Sequence, residues 1–261
     1  LNITIHNIGF CDFLEQLDEG VVFTPNLDHL VRLQTDRKFY EAYQRSDYRV
    51  CDSKILVNLS KLGLVGNIKE QIAGSDLFPA FCQYHMSDSK KKIFLLGGRT
   101  EESTRMAIQN INQKTQSDII QGGYSPPFGF ENDSYQCKKI VDMINSSGAN
   151  VLAVGVGSPK QELWIVKYKD LMPNIKIFLA IGASIDFESG LLTRAPKLLT
   201  RMGLEWCYRI YQEPARLWKR YLLDDLPVIK YLFLHKIGLY QNPWSSVKNR
   251  IKSSKSLATH E

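Results

Sequence analysis

Val151-Leu-Ala-Val-Gly-Val-Gly-Ser-Pro-Lys-Gln-Glu162 is the stretch from which the fold is read. It opens as an apolar run rich in Val, breaks into a short glycine turn, and continues as a helix. An uninterrupted apolar run of this length is the mark of a parallel strand buried on both faces. The turn then delivers Lys160, Gln161 and Glu162 to the carboxyl edge of a sheet, where ligands of open α/β sheets bind. Gly155 and Gly157 let backbone N–H groups approach an anion, and a helix N-terminus favours negative charge. The segment therefore suits a phosphate-bearing ligand. It equally suits plain punctuation, because βα turns favour Gly, Ser and Pro, and Pro159 fits the first helical position. It is not a dinucleotide fingerprint: Lys160 stands where the third glycine would be.

Outward from this segment the chain alternates strands and helices. Strands are expected at Val21–Thr24, Tyr48–Cys51, Ile93–Leu96, Ile119–Gly123, Val151–Val156 and Ile177–Ile181. Helices are expected after Asn26, over Lys54–Leu62, from Ser75-Asp76, over Thr100–Lys114, over Asp133–Asn145 and after Pro159. Strands separated by helices of this length predict a Rossmann-like α/β fold, a parallel sheet with helices on both faces. The pattern changes after Ser189, and from Arg194 no strand stands out. The expected division is a catalytic core over 1–193, a helical basic appendage over 194–244 and a polar, disordered tail over 245–261.

Composition narrows the function classes. The 261 residues carry a net charge of +6, yet residues 194–260 alone hold 13 Lys and Arg against 4 Asp and Glu. Basic character thus belongs to the C-terminal part. The five cysteines are scattered and lack metal-ligand spacing, which suits a reducing compartment. No histidines pair at i, i+4. No secretory leader is visible from Leu1, and no apolar run is long enough to span a bilayer. In the basic part, Arg201, Arg209, Arg216, Lys219 and Arg220 interleave with Trp206, Tyr208, Tyr211, Trp218 and Tyr221, before an apolar stretch at 228–239. Nucleic-acid binding, an interfacial membrane segment and an ordinary solvated helix face all fit. The apolar 228–239 stretch favours the membrane, because a nucleic-acid surface has no need of it.

Several polar residues fall at predicted strand ends: Thr24 and Asn26, Asp52, Arg99 after Gly97-Gly98, Gln161 and Glu162, and Asp186 after Gly182. Each alone reads as a helix cap. Together they line one edge of one sheet. Asp52 is the candidate general base: it follows Arg49-Val50-Cys51, where desolvation raises a carboxyl toward a useful range. Its competing role is to cap the helix carrying Ile55, Leu56 and Val57. No Asp-x-Asp motif stands near a strand end; Glu131-Asn-Asp133 is the nearest and reads as a loop and cap. A divalent metal is therefore not expected; if the ligand is a nucleotide diphosphate, backbone amides and arginines must neutralise it instead.

Thr24-Pro-Asn26, Asp52, Gly74-Ser-Asp76, Phe94-Leu-Leu-Gly-Gly98, Gly155-x-Gly-Ser-Pro-Lys-Gln-Glu162, Arg194-Ala-Pro-Lys197, Gly203-Leu-Glu-Trp206 and Tyr208-Arg209 occur in order. Over residues 1 to 225 the set resembles the WecG/TagA/CpsF bacterial glycosyltransferases. The resemblance implies inverting, metal-independent transfer from a UDP-sugar (N-acetylmannosamine, its uronic acid, or glucose) to a polyprenyl-diphosphate-linked saccharide. That chemistry feeds a cell-surface polymer from the cytoplasmic face of the inner membrane. It implies that Asp52 is the base and that Thr24, Asn26 and Gln161 lie in the pocket. Gly98, Arg99, Gly155, Gly157, Lys160, Glu162, Gly182 and Asp186 are expected around the donor. Arg209, Arg216 and Arg220 are expected to complete the site from the appendage, which binds an anionic membrane surface. The Gly122-Gly-Tyr-Ser-Pro-Pro-Phe128 loop is placed to shape sugar choice. Ala183-Ser184 depart from the family pattern, where a second glycine and a threonine are common. The resemblance is compatible with a homo-oligomer and involves no nucleic acid. An NAD-dependent oxidoreductase and a basic nucleic-acid-binding module are the rival readings.

Overall fold

The computed structural model describes residues 1–196, 199, 204–212, 214–219 and 224–245, without the side chains of residues 206, 209, 216 and 217. Six strands form one all-parallel sheet in the order β2-β1-β6-β5-β3-β4. They are β1 (Gly20–Phe23), β2 (Tyr48–Arg49), β3 (Ile93–Gly97), β4 (Ile120–Tyr124), β5 (Val151–Gly155) and β6 (Ile177–Ala180). The fold is the expected Rossmann-like α/β architecture.

The strand sequences explain why both faces are covered. Along β5, Leu152 and Val154 enter one core while Val151 and Ala153 enter the other. Phe94 and Leu96 on β3, and Phe178 and Ala180 on β6, follow the first pair; their alternates follow the second. Alternation of apolar with apolar requires two helical layers. The first layer holds α2 (Leu27–Thr35), α3 (Arg37–Gln44), α4 (Lys54–Lys61), α7 (Ser134–Ser146) and α8 (Lys160–Tyr168). The second holds α1 (Phe10–Gln16), α5 (Gly74–Tyr84), α6 (Glu101–Thr115) and the five-residue α9 (Ser184–Glu188).

Strand ends differ from the sequence expectation by one or two residues. Thr24 leaves β1 because Pro25 follows it and has no N–H to give a neighbour. Edge strand β2 shrinks to two residues and pairs with β1 alone. Pro159 stands at the N-cap of α8, one position before the expected place. Helices α1, α3 and α9 carried no sequence expectation; α3 starts because Asp36 accepts a hydrogen bond from the Phe39 N–H.

Beyond α9, α10 (Glu205–Gln212), α11 (Pro214–Lys219) and α12 (Pro227–Lys236) are helical, as the absence of strand signals implied. Val228 and Leu232 of α12 bury themselves in the core that α2 serves. The chain after α12 is tied to the same helix: Tyr240 Oη donates to Gln34 Oε1 (2.6 Å), and Trp244 Nε1 donates to the Leu33 carbonyl (2.8 Å). The expected tail beyond Ser245 lies outside the described residues.

Candidate active site

The parallel sheet sends every strand end to one edge, and the polar residues gather there as two linked groups. At the β1–β2 end the Asp52 N–H donates to the Pro25 carbonyl (2.9 Å), which holds Asp52 against the Thr24-Pro25-Asn26 turn. Asn26 does cap α2, its Oδ1 accepting from the His29 N–H (3.2 Å), so its Nδ2 is the group it can offer a ligand. Asp52 does not cap α4. Ser53 does, its Oγ accepting from the Leu56 N–H (3.3 Å). The competing role for Asp52 is thereby corrected: its half-buried carboxylate is placed at the edge by a neighbour that does the capping.

The second group joins the turns after β5, β6 and β3. Gln161 Oε1 accepts from the Gly182 N–H (3.1 Å), and its Nε2 donates to Glu162 Oε1 (2.9 Å). Asp186 Oδ1 accepts from the Arg99 N–H (3.0 Å), with Arg99 Nε 3.6 Å from Oδ2. Gly155 is required by closeness: a Cβ there would lie 2.7 Å from the Gly182 carbonyl oxygen. At Gly157 the requirement is conformational, with φ at 83°, and a Cβ would meet no atom within 4 Å. A Cβ at Gly157 would thus stand in open space.

Glu162 lies beneath this edge. Its side chain is fully buried, and burial raises its pKa to about 7 against the pull of the Gln161 hydrogen bond. Its own backbone N–H and the Ser158 hydroxyl also hydrogen-bond the carboxylate and pull the same way as Gln161. Geometry therefore makes Glu162 a support for Gln161. Sequence reasoning missed a second buried pair, His29 and Tyr43, with Nδ1 and Oη 2.7 Å apart. Burial, then the charges of Glu162, Asp52 and Asp28, hold the Tyr43 hydroxyl well above its usual pKa. Tyr43 therefore sits in the field of both edge groups. The only sequence signal was a histidine on the buried face of α2, one turn before Leu33.

The resemblance motifs Gly74-Ser-Asp76 and Arg194, far apart in sequence, meet at the start of α5. Arg194 Nη1 pairs with Asp76 Oδ1 (2.6 Å), and its other Nη donates to the Ser75 carbonyl. With the fold and these motifs in place, the family comparison is decisive: the model described as glycosyl transferase WecG/TagA/CpsF family matches residues 1–242. The chain belongs to that family. A WecG/TagA/CpsF glycosyltransferase takes a sugar donor and an acceptor, and the family is consistent with cell-surface polysaccharide synthesis. The assignment puts a glycosyltransferase in place of the oxidoreductase reading.

Of the expected site residues, Thr24, Asn26, Asp52, Gly98, Arg99, Gly155, Gly157, Lys160, Gln161, Gly182 and Asp186 all fall on the carboxyl edge or the turns leaving it. Arg209 lies in α10 and Arg216 in α11, but their side chains are not described, and Arg220 lies outside the described residues.

Proposed function

We propose that this glycosyltransferase moves a sugar from a UDP-sugar to a hydroxyl of a polyprenyl-diphosphate-linked saccharide, with inversion and without a metal. The observation that carries the reading is the edge itself. Asp52, relieved of capping by Ser53, stands beside the Thr24–Asn26 turn in a chain matched to the family over 1–242. In this mechanism Asp52 removes the proton from the acceptor hydroxyl as that oxygen attacks the anomeric carbon. The bond from that carbon to the UDP oxygen breaks in the same displacement, and UDP leaves with the electron pair. Thr24 and Asn26 orient sugar and acceptor. The Gly155–Gly157 turn and Gly182 receive the diphosphate, with appendage arginines and fixed backbone donors stabilising its departing charge.

The donor is N-acetylmannosamine, its uronic acid or glucose. The experiment is release of UDP from a panel of these UDP-sugars, with and without a lipid-diphosphate-linked amino sugar. Acceptor-dependent release from one donor is the expected result. No release from any pair, with no binding of UDP to the folded protein, would remove the reading.

The proposed division is a core over 1–193 and a membrane-associating appendage over 194–244, on the cytoplasmic face of the inner membrane. No helix among the described residues is long and apolar enough to cross a membrane. A peripheral contact is supported by α12, which buries Val228 and Leu232 and exposes Ile229 and Phe233, with Leu226 and Ile237 exposed at its two ends, beside Lys230 and Lys236. Substituting Ile229 and Phe233 together with Glu should abolish sedimentation with anionic vesicles; unchanged sedimentation would overturn the contact.

A further inference from the structure

Two motifs stand outside the catalytic scheme, Gly74-Ser-Asp76 and Arg194, and the fold brings them to one point. That point lies at the sheet edge. Helix α5 begins against the end of β6, where a Cβ on Gly74 would lie 3.2 Å from the Ile181 Cα, and α9 leaves β6 through Gly182. Arg194 reaches both helices. On α5, one guanidinium nitrogen pairs with Asp76 Oδ1 (2.6 Å) and the other donates to the Ser75 carbonyl. On α9, that second nitrogen stands 3.8 Å from Glu188 Oε1, and the guanidinium carbon lies 5.7 Å from the centroid of the Phe187 ring. A planar, rigid fork holds such a set of partners in one geometry; a flexible ammonium does not.

Stability does not require this set. The Arg194 and Asp76 side chains are 42% and 50% exposed, and ion pairs open to water contribute little. The buried Glu188 carboxylate already has Lys114 Nζ at 2.7 Å. What the fork fixes is position. Arg194 stands where the chain leaves the core, and the residue before it receives α10: Gln212 Nε2 donates to the Thr193 carbonyl (3.0 Å). Helix α10 is thus docked on the root that Arg194 fastens. We propose that Arg194 is a positioning residue of the transferase. With Asp76 as its chief partner, it pins the root of the appendage to the β6 end of the sheet and so sets where α10, which carries Arg209, stands. The inference rests on the function proposed above for its effect on turnover, but not for the fastening itself.

The test uses the full chain with Arg194→Ala, Arg194→Lys, Asp76→Ala and the double alanine variant. Position is read by pulsed electron resonance between spin labels on the exposed Cys11 of α1 and on Tyr211→Cys of α10, with Cys207→Ser in every sample. The expected distance distribution broadens in either alanine variant and no further in the double one, because the two side chains act as one contact. Slight misplacement of a group at a reacting centre costs up to about 100-fold in rate, so kcat should fall about 10- to 100-fold in Arg194→Ala. The donor KM and the urea midpoint should stay near wild type, and Arg194→Lys should recover part of the lost turnover. An unchanged distance distribution in Arg194→Ala would overturn the fastening. A changed distribution with wild-type kcat would overturn the positioning role, and so would a kcat loss that tracks a lowered urea midpoint. A wild-type protein that releases no UDP while its distances respond as stated would instead remove the proposed function and leave the fastening in place.

Discussion

The two ends of the sheet edge use similar residues in different ways. At the β5–β6–β3 side, Gln161, Glu162 and Asp186 are engaged with the backbone and with each other, largely buried. At the β1–β2 side, Asn26 and Ser53 take the capping duties, and the Asp52 carboxylate stays half-buried at the rim. The first arrangement fixes turns; the second holds a half-buried carboxylate at the rim. A polar residue after a strand can serve either end, and what decides between them is which neighbour satisfies the helix N-terminus.

The strongest way to break this contrast is to force the framework side apart. Gly155→Val places a side chain where a Cβ already lies 2.7 Å from the Gly182 carbonyl oxygen and 3.0 Å from Ile185. The expected loss is about 3 kcal/mol of stability, read as a lower urea midpoint. A stable Gly155→Val protein would show that the turns are not tightly joined.

Glu162 sharpens the contrast through pH. Its pKa in the fold, about 7, lies above the ordinary 4.5, so folding favours the protonated carboxyl. The stabilisation is complete below about pH 4.5 and is lost as pH rises through 7, a change of roughly 3 kcal/mol. Glu162→Gln cannot ionise, so its stability relative to wild type should climb over that window. A constant difference from pH 4 to pH 8 would refute the buried ionisable support.

The smallest effect belongs to the cap. Ser53→Ala should cost about 1 kcal/mol of stability, with turnover of the remaining folded enzyme near wild type. A large loss of turnover at constant stability would mean that Ser53, and not only Asp52, meets the substrate.

Much of the layout is legible in the sequence, for physical reasons. Val151–Gly155 and Ile93–Gly97 are continuous apolar runs, and such runs make sense only between two helical layers. Glycines at strand ends mark the turns because a side chain there would strike the neighbouring turn or require a left-handed backbone. Ser53 and Asp52 are adjacent and either type can cap, so spacing alone left Asp52 ambiguous. The His29–Tyr43 bond was hidden because it joins α2 to α3 and depends on how the two helices pack. Glu162 looked like a rim residue from its position after the glycine turn; the first turn of α8 directs it inward. Phe128 was visible as part of a loop, but its exposure follows only from where Ser125 and Phe130 hold that loop.

The most direct test of the proton-removal role is the Asp52→Asn enzyme, measured for acceptor-dependent turnover and for UDP affinity in the same preparation. Loss of a general base predicts turnover lower by about 10²–10⁴-fold, with UDP affinity and unfolding midpoint unchanged. Turnover near the wild-type value in a folded Asp52→Asn protein would contradict the account and return Asp52 to a structural role.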